Sequence, residues 1–317
     1  MAEMEQGSAG WKDAQGADID LLPWCKAQGV NTVRLRLWVD PVSGHSTLPE
    51  AIAVAQRARQ AGLRIWLAVQ YSDQWADPGQ QVTPVAWQNL NFGQLLAQVE
   101  SYTQQVAQAV QPDILQVGNE INAGFLFPFG KITTTDTGFV QLLEAGLRGA
   151  RTGHPAAQTM IHYAGIAGSQ AFLARLVHLE PDLWGLSYYP WWHGSRPEWA
   201  LDSMQALQQS LNIPVVVAET AYPFTLNWQD QTHNVVGLAG QLLSGYPASE
   251  TGQRNFVMHW ANAVQTRKLA GWCYWGAEWT AWKGPNSQVG SSWENMALFD
   301  FDGRAVPAWD AMKASTP

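Results

Sequence analysis

The sequence predicts an α/β protein of the (β/α)8, or TIM-barrel, class, with its first strand degenerate or missing at the N-terminus. Three observations predict it. Short apolar, β-branched runs alternate with longer stretches whose apolar residues recur at helical spacing. No Gly/Ser-rich linker, internal repeat or charge block interrupts the series. Polar and aromatic residues gather after nearly every apolar run, as in a site built from loops at the C-terminal face of a barrel. An open parallel sheet is the rival arrangement. The 317 residues are a common length for one barrel, so a single domain over 1–317 is expected.

The elements follow in order. Thr32–Leu37 (TVRLRL) reads as a strand and Leu48–Ala61 as a helix. Arg64–Val69 (RIWLAV) is a strand. Phe92–Val110 is a helix with Leu95, Leu96, Val99, Tyr102, Val106 and Val110 on one face. Ile114–Gly118 is a strand, Phe139–Arg151 a helix, Thr159–Tyr163 a strand and Gln170–His178 a helix. Leu183–Tyr188 is a strand, Pro197–Leu211 a helix, Pro214–Ala218 a strand and Thr251–Arg267 a helix. Ala270–Trp275 is the last strand, and Val306–Ala314 ends the chain as a helix. That makes seven strands where a closed barrel has eight, and residues 1–16 hold no convincing β run.

Composition removes whole classes of function. Charged residues are 14% of the chain, too few for a disordered or coiled-coil protein. The 18 Lys and Arg against 26 Asp and Glu give a net charge of −8, which suits neither nucleic acid nor any other polyanion. No apolar run approaches the roughly 18 residues of a membrane span. Two cysteines, Cys25 and Cys273, make no disulfide framework, and the seven His show no zinc-ligand spacing. No metal or cofactor is expected. The acidic, polar N-terminus MAEMEQGSAG has no signal-peptide pattern, so either the protein is intracellular or a leader has been removed.

The unusual count is 18 Trp. Trp38, Trp75, Trp191, Trp192, Trp275, Trp279, Trp282 and Trp293 fall at predicted strand ends or in the loops that follow. Flat apolar rings with a polar edge suit the C–H faces of sugars, although core filling is the alternative for each. Two apolar strands also run into an isolated carboxylate: Leu115-Gln116-Val117-Gly118-Asn119-Glu120 and Val215-Val216-Val217-Ala218-Glu219-Thr220. A carboxylate there is costly unless solvated or partnered. A pair of carboxylates is what glycoside hydrolysis needs, one to donate a proton and one to act as nucleophile or base.

These residues carry a resemblance. Gly29–Pro41 (GVNTVRLRLWVDP), Tyr71–Gln80 (YSDQWADPGQ), Val117–Gly124 (VGNEINAG), Ile161–His162, Gly185–Pro190 (GLSYYP), Glu219–Pro223 (ETAYP), Tyr274–Trp275 and Gly290–Asp300 (GSSWENMALFD) together resemble the endo-β-1,4-galactanases of glycoside hydrolase family 53. The resemblance implies a retaining, endo-acting enzyme on β-1,4-galactan. In it Glu120 is the general acid/base, which holds its proton until the glycosidic oxygen departs, and Glu219 is the nucleophile, ionised at rest. It further implies that Asn119 bonds the sugar 2-hydroxyl, Tyr189 orients the nucleophile, Arg36 keeps it ionised and Trp275 forms the platform under the sugar. Asp73, Trp75 and Asp77 belong to a loop beside the site. Gln70, His162, Trp191 and Trp279 complete the expected substrate contacts.

The chain departs from the family pattern in four places. Ala68-Val69-Gln70 replaces Asp-Phe-His, and Gly276-Ala277-Glu278-Trp279 replaces Glu-Pro-Ala-Trp. The segment resembling the first strand is missing, and the loop after the last strand is short, without the acidic cluster that holds calcium in some relatives. The first two bear on which sugar is held. A clan relative acting on mannan, xylan or a glucan, and a non-catalytic sugar-binding barrel, therefore remain as alternatives. Several residues also have structural readings. Arg34 and Arg36 would serve as ion-paired barrel interior, and His162 as a satisfied core histidine. His193 would be a solvated loop residue, Asp73 and Asp77 turn formers, and Asn119 a cap. Asp300 and Asp302 are assigned no chemistry. By analogy the protein is expected to be an extracellular or periplasmic monomer with a polysaccharide or oligosaccharide as its partner.

Overall fold

The computed structural model describes residues 2–6 and 10–314. In chain order the elements are α1 (Ala2–Gln6), α2 (Leu21–Ala27), β1 (Thr32–Leu37), α3 (Leu48–Gln60), β2 (Arg64–Val69), α4 (Phe92–Val110), β3 (Ile114–Val117), α5 (Thr137–Gly153), β4 (Gln158–Ala164) and α6 (Ser169–Ala174). They continue with β5 (Leu183–Ser187), α7 (Pro190–His193), α8 (Pro197–Leu211), β6 (Val215–Thr220), α9 (Glu250–Thr266), β7 (Gly271–Tyr274) and α10 (Asp310–Ala314). The seven strands lie in the order β1 to β7, each beside its neighbour in sequence. The pairings from β1 to β5 are all parallel. Helices joining consecutive parallel strands define the (β/α)8 barrel class. Among the described residues no strand precedes β1. That stretch instead holds α1, α2 and an isolated pairing of Lys12 with Asp18 and Arg304.

The bounds of β1, β2, α4 and α8 are those the periodicity predicts. Three differences have physical causes. Pro214 has no N–H for the ladder, so β6 starts one residue later than expected. At its other end β6 runs on through Thr220, because Tyr188 N–H donates to Glu219 O and Trp275 N–H to Thr220 O. Glu219 is therefore inside a strand and not in the loop after it. The predicted helix over 170–178 stops at Ala174, followed by a 3₁₀ turn (Val177–Leu179), and the chain must leave helical geometry ahead of Pro181. The loop after β7, expected to be short, occupies 275–306 and is interrupted only by a 3₁₀ turn at Glu294–Met296.

The chain divides into two compact units. The first comprises 32–187 and 206–216. Its strands alternate their side chains, so Arg34 and Arg36 of β1, Trp66 and Ala68 of β2, Gln116 of β3, Met160 and His162 of β4, and Gly185 and Ser187 of β5 share one face. Helices cover the other face. In α4 the Asn91 side chain caps the first turn and Gln94 caps in return, and Leu95, Val99, Val106 and Val110 are buried. Helix α5 meets α4 through glycines. A Cβ on Gly149 would lie 2.3 Å from Glu100 O, and one on Gly153 would lie 2.4 Å from Gln104 O.

The second unit comprises 1–31, 188–205 and 217–317. Its core is aromatic. Trp260 of α9 stacks on Tyr188 at 4.9 Å and Phe256 stacks on Tyr222 at 4.4 Å. Gln253, fully buried, donates to Tyr222 O and Ala297 O, which ties the loop after β6 to the loop after β7. Burial pushes the Cys25 thiol up to about 12, so it is inert at neutral pH.

Candidate active site

In the first unit the site residues form one hydrogen-bonded network around the loop after β3. Gly118 takes φ +79°, and a Cβ there would meet Ile121 Cγ2 at 2.6 Å, so the tight turn requires glycine. Glu120 follows at φ +49°, a left-handed conformation that costs a non-glycine residue roughly 1 kcal/mol or more. The turn is held from outside. Gln81 Nε2 donates to Asn119 O at 2.7 Å and to Glu120 O at 3.3 Å, and Ile121 N–H donates to His162 O. The strained backbone leaves the Glu120 carboxyl half-buried, with Ser187 Oγ donating to its Oε1 at 2.6 Å.

Behind Glu120 lies a polar layer on the inner face of the strands. His162 Nε2 is 2.8 Å from Ser187 Oγ. Its Nδ1 is 3.1 Å from both Gln116 Nε2 and Asn119 Oδ1. Gln116 Oε1 accepts from Arg34 Nε and from Trp66 Nε1, and Asn119 Oδ1 accepts from Arg34 at 2.8 Å. Gln116, His162 and Ser187 are fully buried. Such a layer is tolerated in an apolar interior because its members satisfy one another.

The aromatic side of this unit is built on β1 and the loop after β2. The Arg36 guanidinium packs against two indoles that meet edge-on, 4.3 Å from the Trp38 ring and 3.9 Å from the Trp75 ring, and donates to Ser46 Oγ. Trp75 is 40% exposed, which leaves ring surface for a ligand. Gln70 is buried, and its Oε1 accepts from Trp38 Nε1 at 2.7 Å and from Ala76 N–H. Asp73 has one oxygen on Asp40 N–H and the other on Val85 N–H, so it braces the loop. Asp77 caps Gly79 in the turn, as its sequence context predicts.

The second unit holds Glu219, 5% exposed in β6, with the Tyr189 hydroxyl donating to its Oε2 at 2.9 Å. Tyr189 sits at the start of α7 in an aromatic cluster, with ring centroids 5.2 Å from Trp191, 5.3 Å from Trp192 and 5.4 Å from Trp293. Trp275 follows β7 and packs edge-on against Trp279 at 5.3 Å. Gly276 takes φ +68°, and a Cβ there would touch the Trp279 ring at 3.4 Å, so Trp279 lies directly over the glycine. His193 does not face solvent as a free loop histidine. Its Nδ1 accepts from Tyr189 N–H, and desolvation lowers it to about 4, so it is neutral and shapes the turn.

The sequence reading therefore brings together Glu120, Asn119 and His162 in one unit and Glu219, Tyr189 and Trp191 in the other. It missed Gln116 and Ser187, and it left Trp293 out of the site. The available signal was a polar residue in an otherwise apolar strand: Gln116 within ILQV and Ser187 closing LWGLS.

Isolated carboxylates on strand ends, one in a polar network and one beneath a tyrosine and a wall of indoles, are the equipment of an enzyme that breaks glycosidic bonds, and the protein is a glycoside hydrolase. The family model described as Glycosyl hydrolase family 53 matches residues 1–312, and the chain belongs to that family. It is 36% identical to an "Uncharacterized protein in bgaB 5'region" of Niallia circulans, with 99% of this chain and 91% of that protein aligned. It is 32% identical to a "Probable arabinogalactan endo-beta-1,4-galactanase A" of Neosartorya fischeri, over 94% of this chain and 86% of that protein. The solved Ignisphaera aggregans GH53 catalytic domain superposes with a TM-score of 0.91 at 33% identity, covering 99% of this chain and 93% of that one.

Proposed function

We propose that the protein is a retaining endo-β-1,4-galactanase that works by double displacement with Glu219 as nucleophile and Glu120 as general acid/base. The observation that carries this reading is the buried Glu219 carboxylate with the Tyr189 hydroxyl on one oxygen. A hydroxyl that donates there orients the carboxylate, and the other oxygen attacks the anomeric carbon. As that C–O bond forms, the glycosidic C–O bond breaks and the Glu120 proton passes to the departing oxygen. Water then attacks the glycosyl-enzyme, its proton passes to Glu120, and Glu219 leaves. Every proton and electron pair is supplied by these two carboxyls and water.

Asn119, fixed by Arg34 and by its own donation to Ala76 O, is the residue for the 2-hydroxyl. Trp75, Trp191, Trp275 and Trp279 supply ring faces for sugars, with Arg36 holding Trp75. Asp73 acts through the loop it braces. Gln70 supports a second reading, since its Oε1 is already taken by Trp38 and Ala76. The sugar met at that position is then not read as the family's histidine reads it, and another β-linked plant glycan becomes the substrate. We further propose that the protein acts as a monomer on polysaccharide outside the cytoplasm. Among the described residues no helix is long and apolar enough to cross a membrane.

Two measurements test the proposal. Hydrolysis followed by NMR is expected to release the β-anomer first, and initial release of the α-anomer overturns the retaining mechanism. A panel of linear β-1,4-galactan, mannan, xylan and glucan with product sizing is expected to give internal cuts in galactan. Internal cuts in another glycan alone select the second reading.

A further inference from the structure

We propose that Ser187 and His162 are positioning residues for Glu120, forming a one-way chain of hydrogen bonds that runs from Gln116 through His162 and Ser187 into the Glu120 carboxylate. This rests on Glu120 being the acid/base of the proposed reaction and adds to it the groups that hold its base form.

The direction of the chain follows from donor and acceptor chemistry. Arg34 and the Trp66 indole can only donate, and both donate to Gln116 Oε1, at 3.1 Å from Arg34 Nε and 3.1 Å from Trp66 Nε1. The amide orientation of Gln116 is therefore fixed, and its Nε2 faces His162 Nδ1 at 3.1 Å. Gln116 Nε2 also donates to Gly118 O at 2.8 Å and Asn119 Oδ1 at 3.0 Å, so the direction is set at the other end, where an ionised Glu120 carboxylate can only accept and Ser187 Oγ donates to it. The Ser187 oxygen then accepts from His162 Nε2 at 2.8 Å, which leaves Nδ1 as the acceptor facing Gln116 Nε2. The remaining hydrogen of Ser187 points to Glu120 Oε1 at 2.6 Å, the length of a hydroxyl bonded to a carboxylate.

Burial separates this role from substrate binding. Gln116, His162 and Ser187 have no solvent exposure, and both ring nitrogens of His162 are engaged, so the histidine acts through Ser187 and not on the sugar. Water does not compete for these bonds. Donation into the carboxylate favours its ionised form. That form is needed in the second step, when Glu120 must take a proton from water. The same donation opposes the protonated form needed in the first step, so the chain sets the pH at which the acid is lost. Arg34 on β1 is a charged neighbour of the chain. In the proposed reaction Glu219 adds its charge equally to wild type and variants.

The test is the pH profile of kcat/KM on β-1,4-galactan for wild type, S187A, S187T and H162N, with an activated aryl β-galactoside as control. Removing the Ser187 hydroxyl is expected to move the alkaline limb on galactan up by about one pH unit, the scale of one hydrogen bond to a carboxylate. S187T, which keeps a hydroxyl, restores the limb. H162N moves it the same way by less. On the aryl substrate, whose leaving group needs no proton, the limb is absent and the variants do not separate there. An alkaline limb that is unmoved or moves down in S187A overturns the proposal. If S187A does not fold, an unmoved limb in H162N overturns it. Failure of the underlying reading looks different: E120A then cleaves galactan at the wild-type rate whatever Ser187 does.

Discussion

The loop carrying Glu120 and the strand carrying Glu219 solve opposite problems with different materials. Glu120 is half-buried on a left-handed backbone, and its known partners are a serine, a histidine and a glutamine arranged in series. Glu219 is nearly fully buried in a regular strand, with the Tyr189 phenol donating to it and indoles around that phenol. In the proposed reaction Glu120 gains and loses a proton in each turnover, and its neighbours form a chain of donors that ends on its carboxylate. In the proposed reaction Glu219 stays charged and attacks carbon, and a phenol fixed in a ring cluster donates to it. The difference teaches that, in the proposed reaction, the surroundings and not the identical side chains assign the two roles.

The sharpest way to break this comparison is leaving-group dependence. E219A is expected to lose on the order of 10⁴-fold or more in kcat on galactan and on an activated aryl galactoside alike, because no covalent intermediate forms. E120A is expected to lose about 10²–10⁴-fold on galactan but far less in the glycosylation of the aryl substrate. Equal losses for E120A on both substrates would remove the assigned difference.

A smaller effect concerns the loop that carries Trp293. The buried neighbour Glu294 accepts from Gln229 N–H and Asp230 N–H. Burial, with the Asp230 charge beside it, raises Glu294 from the usual 4.5 to about 7. The folded state therefore holds the proton that the unfolded chain has released. Stability on this account is intact below about pH 4.5, falls as pH rises towards 7, and is lower above it by about 3 kcal/mol. E294Q keeps the acceptor and loses the titration. Its melting temperature should exceed wild type at pH 8 but not at pH 4, and an equal offset at both pH values would rule the account out.

Next in size is Y189F, which keeps the ring cluster and removes the hydroxyl from Glu219. A bond to a charged group is worth roughly 1.5–3 kcal/mol, so kcat is expected to fall about 10–100-fold with the fold unchanged by circular dichroism. An unchanged kcat would leave the phenol with packing alone. The smallest change sharpens the comparison by lying outside both regions. G149A places a methyl 2.3 Å from Glu100 O in the α4–α5 contact. It should lower stability by about 1–3 kcal/mol in a denaturant melt while leaving the pH profile of kcat/KM in place.

Local sequence settled the elements because their signals are local. β-Branched runs gave β1 and β2 to the residue, and helical spacing with an Asn91 cap gave α4. The two carboxylates and the Tyr189 partner were legible through apolar strands ending in charge and through motifs carried by contiguous residues. The partners of Glu120 were not. Ser187 lies 67 residues from it, His162 a further 25 back from Ser187, and Gln116 another 46 from His162. What joins them is the parallel register that sets Met160 against Gln116 and Gly185 against His162 and turns alternate residues to one face. By itself the sequence determined which residues are apolar, which turns need glycine and where charge must end a strand. Only the tertiary structure decided which buried polar atoms meet, because a hydrogen bond between strands depends on register and side-chain direction, and neither is encoded in any short stretch of chain.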